Sequence, residues 1–170
     1  MPLLVPASPA QSLIRKLIVT GLEAADPYRA LLESMSRKGP LLRVGRRTYD
    51  LRRFERIVAV GAGKASARMA QALEHILGTK LEQGLVVVKK SYPGSTGRIT
   101  VLEASHPIPD RAGRQAAERI RTLVQGLSTR DLLIVLLSGG ASSLLPAPVP
   151  GITLADKQRT TRLLLRSGAT

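Results

Sequence analysis

Three short segments carry residues whose types and spacing suit anion chemistry. The first is Gly61-Ala62-Gly63-Lys64, followed by Ala65-Ser66, directly after the β-branched run Arg56–Val60. Glycines after a strand let backbone N–H groups approach an anion, and the start of a following helix adds a positive dipole. A lysine is opposed by that dipole, which favours a functional reason for Lys64. The second is Glu103-Ala104-Ser105-His106-Pro107-Ile108-Pro109-Asp110. A histidine between stiff residues is well placed to hydrogen-bond or to shuttle a proton. The third is Ser138-Gly139-Gly140-Ala141-Ser142-Ser143, after the apolar run Leu132–Leu137. Gly-Gly permits a concave row of N–H groups, and the serines add donors for a phosphate or carboxylate. Each segment also has a plain structural reading. These are a tight strand-to-helix turn with an exposed lysine, a proline-fixed loop with Asp110 as a helix cap, and a flexible turn. A serine nucleophile in the third loop lacks assignable acidic and histidine partners.

Known phosphate motifs fit the first loop poorly. A P-loop needs Gly where Val58 stands and Ser or Thr where Ala65 stands. The dinucleotide fingerprint has its first two glycines in Gly61 and Gly63, but Ser66 holds the third place. Lys89-Lys90 replaces the acid expected at the end of the next strand, so NAD is disfavoured and NADP stays open.

The elements that must position these loops follow from periodicity. Ser8-Pro9 is expected to cap a helix over Ala10–Ala25, with Leu13, Leu17 and Leu22 as its apolar positions. Met1–Pro9 reads as a loose tail. A second helix after Pro27, using Ala30, Leu31 and Met35, is expected to stop at Gly39-Pro40, and residues 41–51 to form a small hairpin or a loop. Strands follow at Arg56–Val60, Gly84–Lys89, Ile99–Glu103 and Leu132–Leu137. Helices separate them, one carrying Met69, Ala72, Leu73, Ile76 and Leu77 and one running from Asp110 to Leu127. Thr153 is expected to cap a last helix, stopped by Arg166–Ala169. Continuous apolar strands alternating with amphipathic helices imply an α/β fold, a Rossmann-like three-layer α/β/α build with a mainly parallel sheet covered on both faces. Residues 1–55 are expected to form a helical segment and hairpin packing on a core domain of residues 56–170. The chain ceases without a closing strand and reads as part of a longer protein.

Composition narrows the function. The 170 residues contain 26 Lys+Arg against 12 Asp+Glu, a net charge of +14, with no Cys and two His. Disulfides, thiolate metal sites and a cysteine nucleophile are excluded, and a His-rich zinc site is disfavoured. No apolar run is long enough to span a bilayer, and no secretory pattern opens the chain, so a soluble, cytoplasmic protein is the default expectation. The excess charge implies anionic partners. Basic residues are spread along the chain and aromatics are scarce, which makes nucleic acid an unlikely partner and favours a small phosphorylated or acidic ligand.

The loops together resemble the N-terminal part of the class II glycerate kinases, the glycerate 2-kinase family, from about Arg56 to Thr170. The matching residues are Val60–Ala65, His106–Asp110 and Leu136–Pro148, then Thr153-Leu154, Lys157-Gln158, Leu163-Leu164 and Gly168–Thr170. The resemblance implies a kinase that uses ATP and Mg²⁺ to phosphorylate the 2-hydroxyl of D-glycerate, giving 2-phosphoglycerate, in serine and glyoxylate metabolism. It implies a cleft between two domains. Lys64 would be the cleft lysine, Gly61 and Gly63 part of its loop, Ser138–Ser143 the loop for phosphate or carboxylate, and His106 and Asp110 would line the same edge. No metal ligand is assigned. The family usually has Gly where Ser105 and Ala141 stand. The fragment alone is expected to be inactive, and to be sticky where its second domain should dock. A homodimer is an arrangement the sequence allows. The alternatives are an NAD(P)-dependent hydroxypyruvate reductase and a non-catalytic anion-binding module.

Overall fold

The structure is a computed structural model that describes residues 8–92 and 94–168. Of the expected tail Met1–Pro9, residues 1–7 lie outside the described residues, as do Ala169-Thr170, and Pro9 is not tail but the first residue of a helix. Ser8 caps α1 (Pro9–Ala24) through a reciprocal bond pair with Gln11. Asp26 caps α2 (Pro27–Ser34) through the Tyr28 amide. The second helix ends earlier than expected. Met35, placed on that helix by the sequence pattern, instead opens β1 (Met35–Lys38). It pairs with Val44 of β2 (Leu41–Val44), and β2 pairs with β3 (Arg47–Asp50), giving a three-stranded antiparallel sheet. That cross-strand pairing overrides the local helical pattern.

The main sheet is four-stranded and fully parallel, in the order β6-β5-β4-β7. Its strands are β4 (Arg56–Ala62), β5 (Gln83–Lys89), β6 (Ile99–Ala104) and β7 (Asp131–Leu137). α3 (Ser66–Leu77) covers one face. Its Leu73, Ile76 and Leu77 pack with Ile57, Ala59, Val86 and Leu136, and with Met35, Leu42 and Leu51 from the N-terminal elements. α4 (Arg111–Gln125) and the short α5 (Ala141–Leu144) cover the other, where Ala116, Ile120 and Leu144 meet Val60, Ala62, Leu85 and Val87. The α/β three-layer expectation holds. Coverage of both faces does not hold at β7, an edge strand here, where Val135 and Leu137 are 52% and 59% exposed on one face.

The chain moves outward from β4 to β5 to β6, then returns across the sheet to lay β7 against the other side of β4. Strand order therefore reverses between β4 and β7. In open α/β sheets, ligands bind beyond the carboxyl ends of the strands at such a switch point. Thr153 and Asp156 cap α6 (Leu154–Ser167) with a second reciprocal pair, and Gly168 ends it at φ 68°. No helix among the described residues is long and apolar enough to cross a membrane.

Candidate functional site

The loops after β4 and β7 meet at the switch point. Gly63 has φ 138°, and a Cβ there would collide with the Ser138 hydroxyl. Gly61 lies inside β4, and its Cβ would collide with the Leu136 carbonyl. Both glycines therefore serve close approach of β4 and its loop to β7 and its loop. The first-loop amides are spent within the protein. Gly63 N–H donates to Val87 O (3.0 Å), Lys64 N–H to Gly139 O (3.0 Å) and Ser66 N–H to Gly63 O (3.2 Å). Ala65 N–H donates to Ser138 Oγ (3.0 Å). Ser66, fully buried, donates its hydroxyl to Leu136 O (3.1 Å). Only the Lys64 side chain leaves this loop toward solvent.

The loop after β7 is arranged differently. Gly140 has φ 93° and opens α5, so Ala141–Ser143 form a helical turn where the sequence suggested a Gly/Ser loop. Ala141 needs no left-handed backbone; Gly140 takes that conformation instead. Among the described residues, the Gly139, Gly140 and Ser142 amides donate to no protein acceptor, whereas Ala141 N–H reaches Ser138 O (3.4 Å) and Ser143 N–H reaches Gly140 O (3.3 Å). The Ser143 hydroxyl also donates to Gly140 O (3.2 Å), and Ser142 is exposed.

Gly140 joins all three loops. A Cβ on it would stand 2.7 Å and 2.8 Å from Cδ2 and Nε2 of His106, and 3.6 Å from Cε of Lys64. The His106 ring, after β6, and the Lys64 stem, after β4, thus converge over the glycine after β7. Burial, then the charges of Lys64 and Lys89, push the His106 pKa below its ordinary value. Its bond to Pro107 is cis.

Asp110 shares this edge with its carboxylate already committed. It caps α4 through the Gly113 amide (2.9 Å), accepts from the Ser105 hydroxyl (2.8 Å) and pairs with Lys90 (3.6 Å). Burial raises its pKa, but the Gly113 and Ser105 bonds and Lys90 outweigh that and hold it below the usual carboxylate range. Gln158 of α6 donates to Pro109 O (2.8 Å) and steadies the same loop. Lys89 stands outside the residues picked from sequence. The lysine pair at the end of β5 and just beyond it could have signalled it, but only the strand order sets β5 between β4 and β6, whose following loops carry Lys64 and His106. Among the described residues no three potential metal ligands gather. The concave space of about 370 Å³ touching this edge is lined by Leu31, Met69, Ala65 and Ser138 and is mainly apolar.

A family described as a domain of unknown function, DUF4147, matches residues 13–170. The chain belongs to this family. It is 39% identical to an Agrobacterium vitis protein named "Putative hydroxypyruvate reductase", over 95% of this chain and 34% of that protein. It is 36% identical to a glycerate 2-kinase of Pyrococcus horikoshii, over 91% of this chain and 34% of that one. The crystal structure of a Thermotoga maritima glycerate kinase matches with a TM-score of 0.72 at 34% identity, covering 94% of this chain and 35% of that chain. The chain thus spans about a third of the length of the curated relatives it matches.

Proposed function

We propose that this chain contributes one wall of the active site of a glycerate 2-kinase, transferring the γ-phosphoryl group of ATP to the 2-hydroxyl of D-glycerate. The carrying observation is the convergence of Lys64, His106 and the uncommitted Gly139 and Gly140 amides over the β4/β7 switch point. Phosphoryl transfer asks the protein mainly for positioned cations and backbone donors. The glycerate hydroxyl oxygen bonds to the γ-phosphorus, the bond from that phosphorus to the bridging oxygen breaks so that ADP leaves, and the hydroxyl proton passes to solvent. Lys64 neutralises anionic charge at this centre, and the β7 loop supplies amide donors. Asp110 and Ser105 hold the His106 loop in place. Magnesium would arrive on the nucleotide phosphates. Residues 56–168 form the ligand-facing core, residues 8–55 pack behind it, and the facing wall belongs to a second domain. A cytoplasmic setting fits this reaction.

The reductase reading has the name of the Agrobacterium relative in its favour. A dinucleotide pyrophosphate, however, sits on the amides opening the helix after the first strand. Here Ser138 Oγ and Gly139 O occupy those amides, and Lys89-Lys90 ends β5.

Calorimetric titration of the chain with MgATP, D-glycerate and NADPH tests the reading. Binding of MgATP or D-glycerate is expected, with Lys64→Ala weakening it by about tenfold or more, the loss of one charge-assisted contact. NADPH binding with no response to MgATP would sink the kinase.

A further inference from the structure

We propose that His106 is a proton-accepting anion ligand, neutral in the free chain and taking up one proton from solvent when a phosphoryl group enters between Lys64 and the Gly139 and Gly140 amides. This deepens the reading above and rests on its assignment of this edge to an anion. The geometry carries it. Gly140 lacks the Cβ that would stand 2.8 Å from Nε2 of His106, so the ring lies directly against the loop whose amides are uncommitted. Among the described residues the ring makes no hydrogen bond, whereas the amides of Gly63, Lys64, Ala65 and Ser66 in the loop after β4 are all paired within the protein.

The charged groups facing the ring are Lys64 from the loop after β4 and Lys89 from the end of β5. The loop after β7 contributes none. On its own loop the Asp110 carboxylate is turned to Gly113, Ser105 and Lys90. The ring therefore faces cations with no balancing carboxylate, which together with burial disfavours imidazolium in the free chain. An entering dianion reverses that balance. Protonation makes both ring nitrogens donors, so Nε2 can donate to the anion whichever tautomer the free ring holds. A dianionic phosphoryl group matches two cations and a protonated imidazole better than a single carboxylate does. This residue thus favours phosphoryl over carboxylate at this position.

Sulfate is the suitable probe, because it stays divalent throughout the titration range. The imidazole signals of His106 would be followed by NMR against pH, with and without sulfate. His75, on the far side against Tyr28, is the internal reference. The expected result is a His106 pKa raised by about one pH unit, a tenfold gain in proton affinity, with His75 unmoved. Sulfate should bind more tightly as pH falls through that window. His106→Gln should bind more weakly and with no such dependence. Sulfate that shifts the Gly139 and Gly140 amides but leaves the His106 titration in place overturns the proposal alone. No response of those amides at any pH removes the anion edge itself, and with it both the proposal and its foundation. Proton uptake with sulfate, in a protein that phosphorylates no glycerate, would leave the His106 assignment standing and refute only the kinase.

Discussion

At the scale of single residues, the site is organised by absent side chains. Gly140 adopts φ 93° and leaves room for His106, while its neighbour Gly139 has open space around its missing Cβ and no positive φ. The two glycines are adjacent, identical and differently constrained, which makes them a matched test. Gly140→Ala should cost about 1–3 kcal/mol in stability through a strained backbone, and should displace the His106 ring. Gly139→Ala should leave the melting temperature almost unchanged. Thermal unfolding of the pair measures both, and equal melting temperatures would show that Gly140 carries no constraint. The sequence made Gly-Gly legible as a special turn. It could not separate the two, because the separating contact comes from His106, more than thirty positions earlier in the chain. Similarly, Gly61 and Gly63 were legible as a close approach, but to an anion. What approaches is Leu136 and Ser138, and no local pattern records that.

At the scale of elements, strands and helices of the main sheet were legible because each is a contiguous run with a clear period. The Asp110 and Thr153 caps were legible as local spacings. Misreadings fall where a partner lies elsewhere. Met35 continued a helical pattern, yet pairs with Val44. Leu132–Leu137 read as buried on both faces, yet β7 is an edge strand. What aligns β7 with β4 is an ion pair that also joins distant segments. Arg56 at the start of β4 donates Nε and Nη2 to the two oxygens of Asp131 (2.9 and 2.7 Å), and Asp131 also accepts the Ser128 amide (2.6 Å). The Asp131 side chain is completely shielded from solvent. The Arg56 guanidinium, then the Ser128 amide, hold its carboxyl well below the usual carboxylate range. A depressed carboxylate adds stability that is present above its unfolded pKa and lost as pH falls toward the folded one. The chain should therefore lose stability progressively below about pH 4. Asp131→Asn should lower the melting temperature at pH 7 and flatten that acid dependence. Melting curves from pH 7 to pH 3 check it, and parallel losses in both proteins would remove Asp131 from the cause.

At the scale of the whole molecule, apolar surface is distributed unevenly. α1 buries no residue, and Leu13, Ile14, Leu17, Ile18 and Leu22 are all exposed, Leu17 by 64%. α6 likewise exposes Leu163, Leu164 and Leu165, and β7 exposes Val135 and Leu137. Patches of this kind mark surfaces that other protein covers, and left bare they drive association. The isolated chain should therefore self-associate with rising concentration despite its +14 charge, which opposes association through repulsion. The two effects have opposite salt responses. Added salt screens the repulsion and leaves the apolar attraction, so association should strengthen from low to moderate ionic strength. An ion-paired interface would weaken instead. Leu13→Ser with Leu17→Ser should reduce association while leaving thermal stability nearly intact, because neither side chain is buried. Leu73→Ala, in the packed interior between α3 and the sheet, should cost about 2–5 kcal/mol and leave the α1 surface in place. Sedimentation velocity over a concentration and salt series, run beside melting curves, separates these outcomes. A chain that stays monomeric throughout would overturn the reading of these apolar faces as association surfaces.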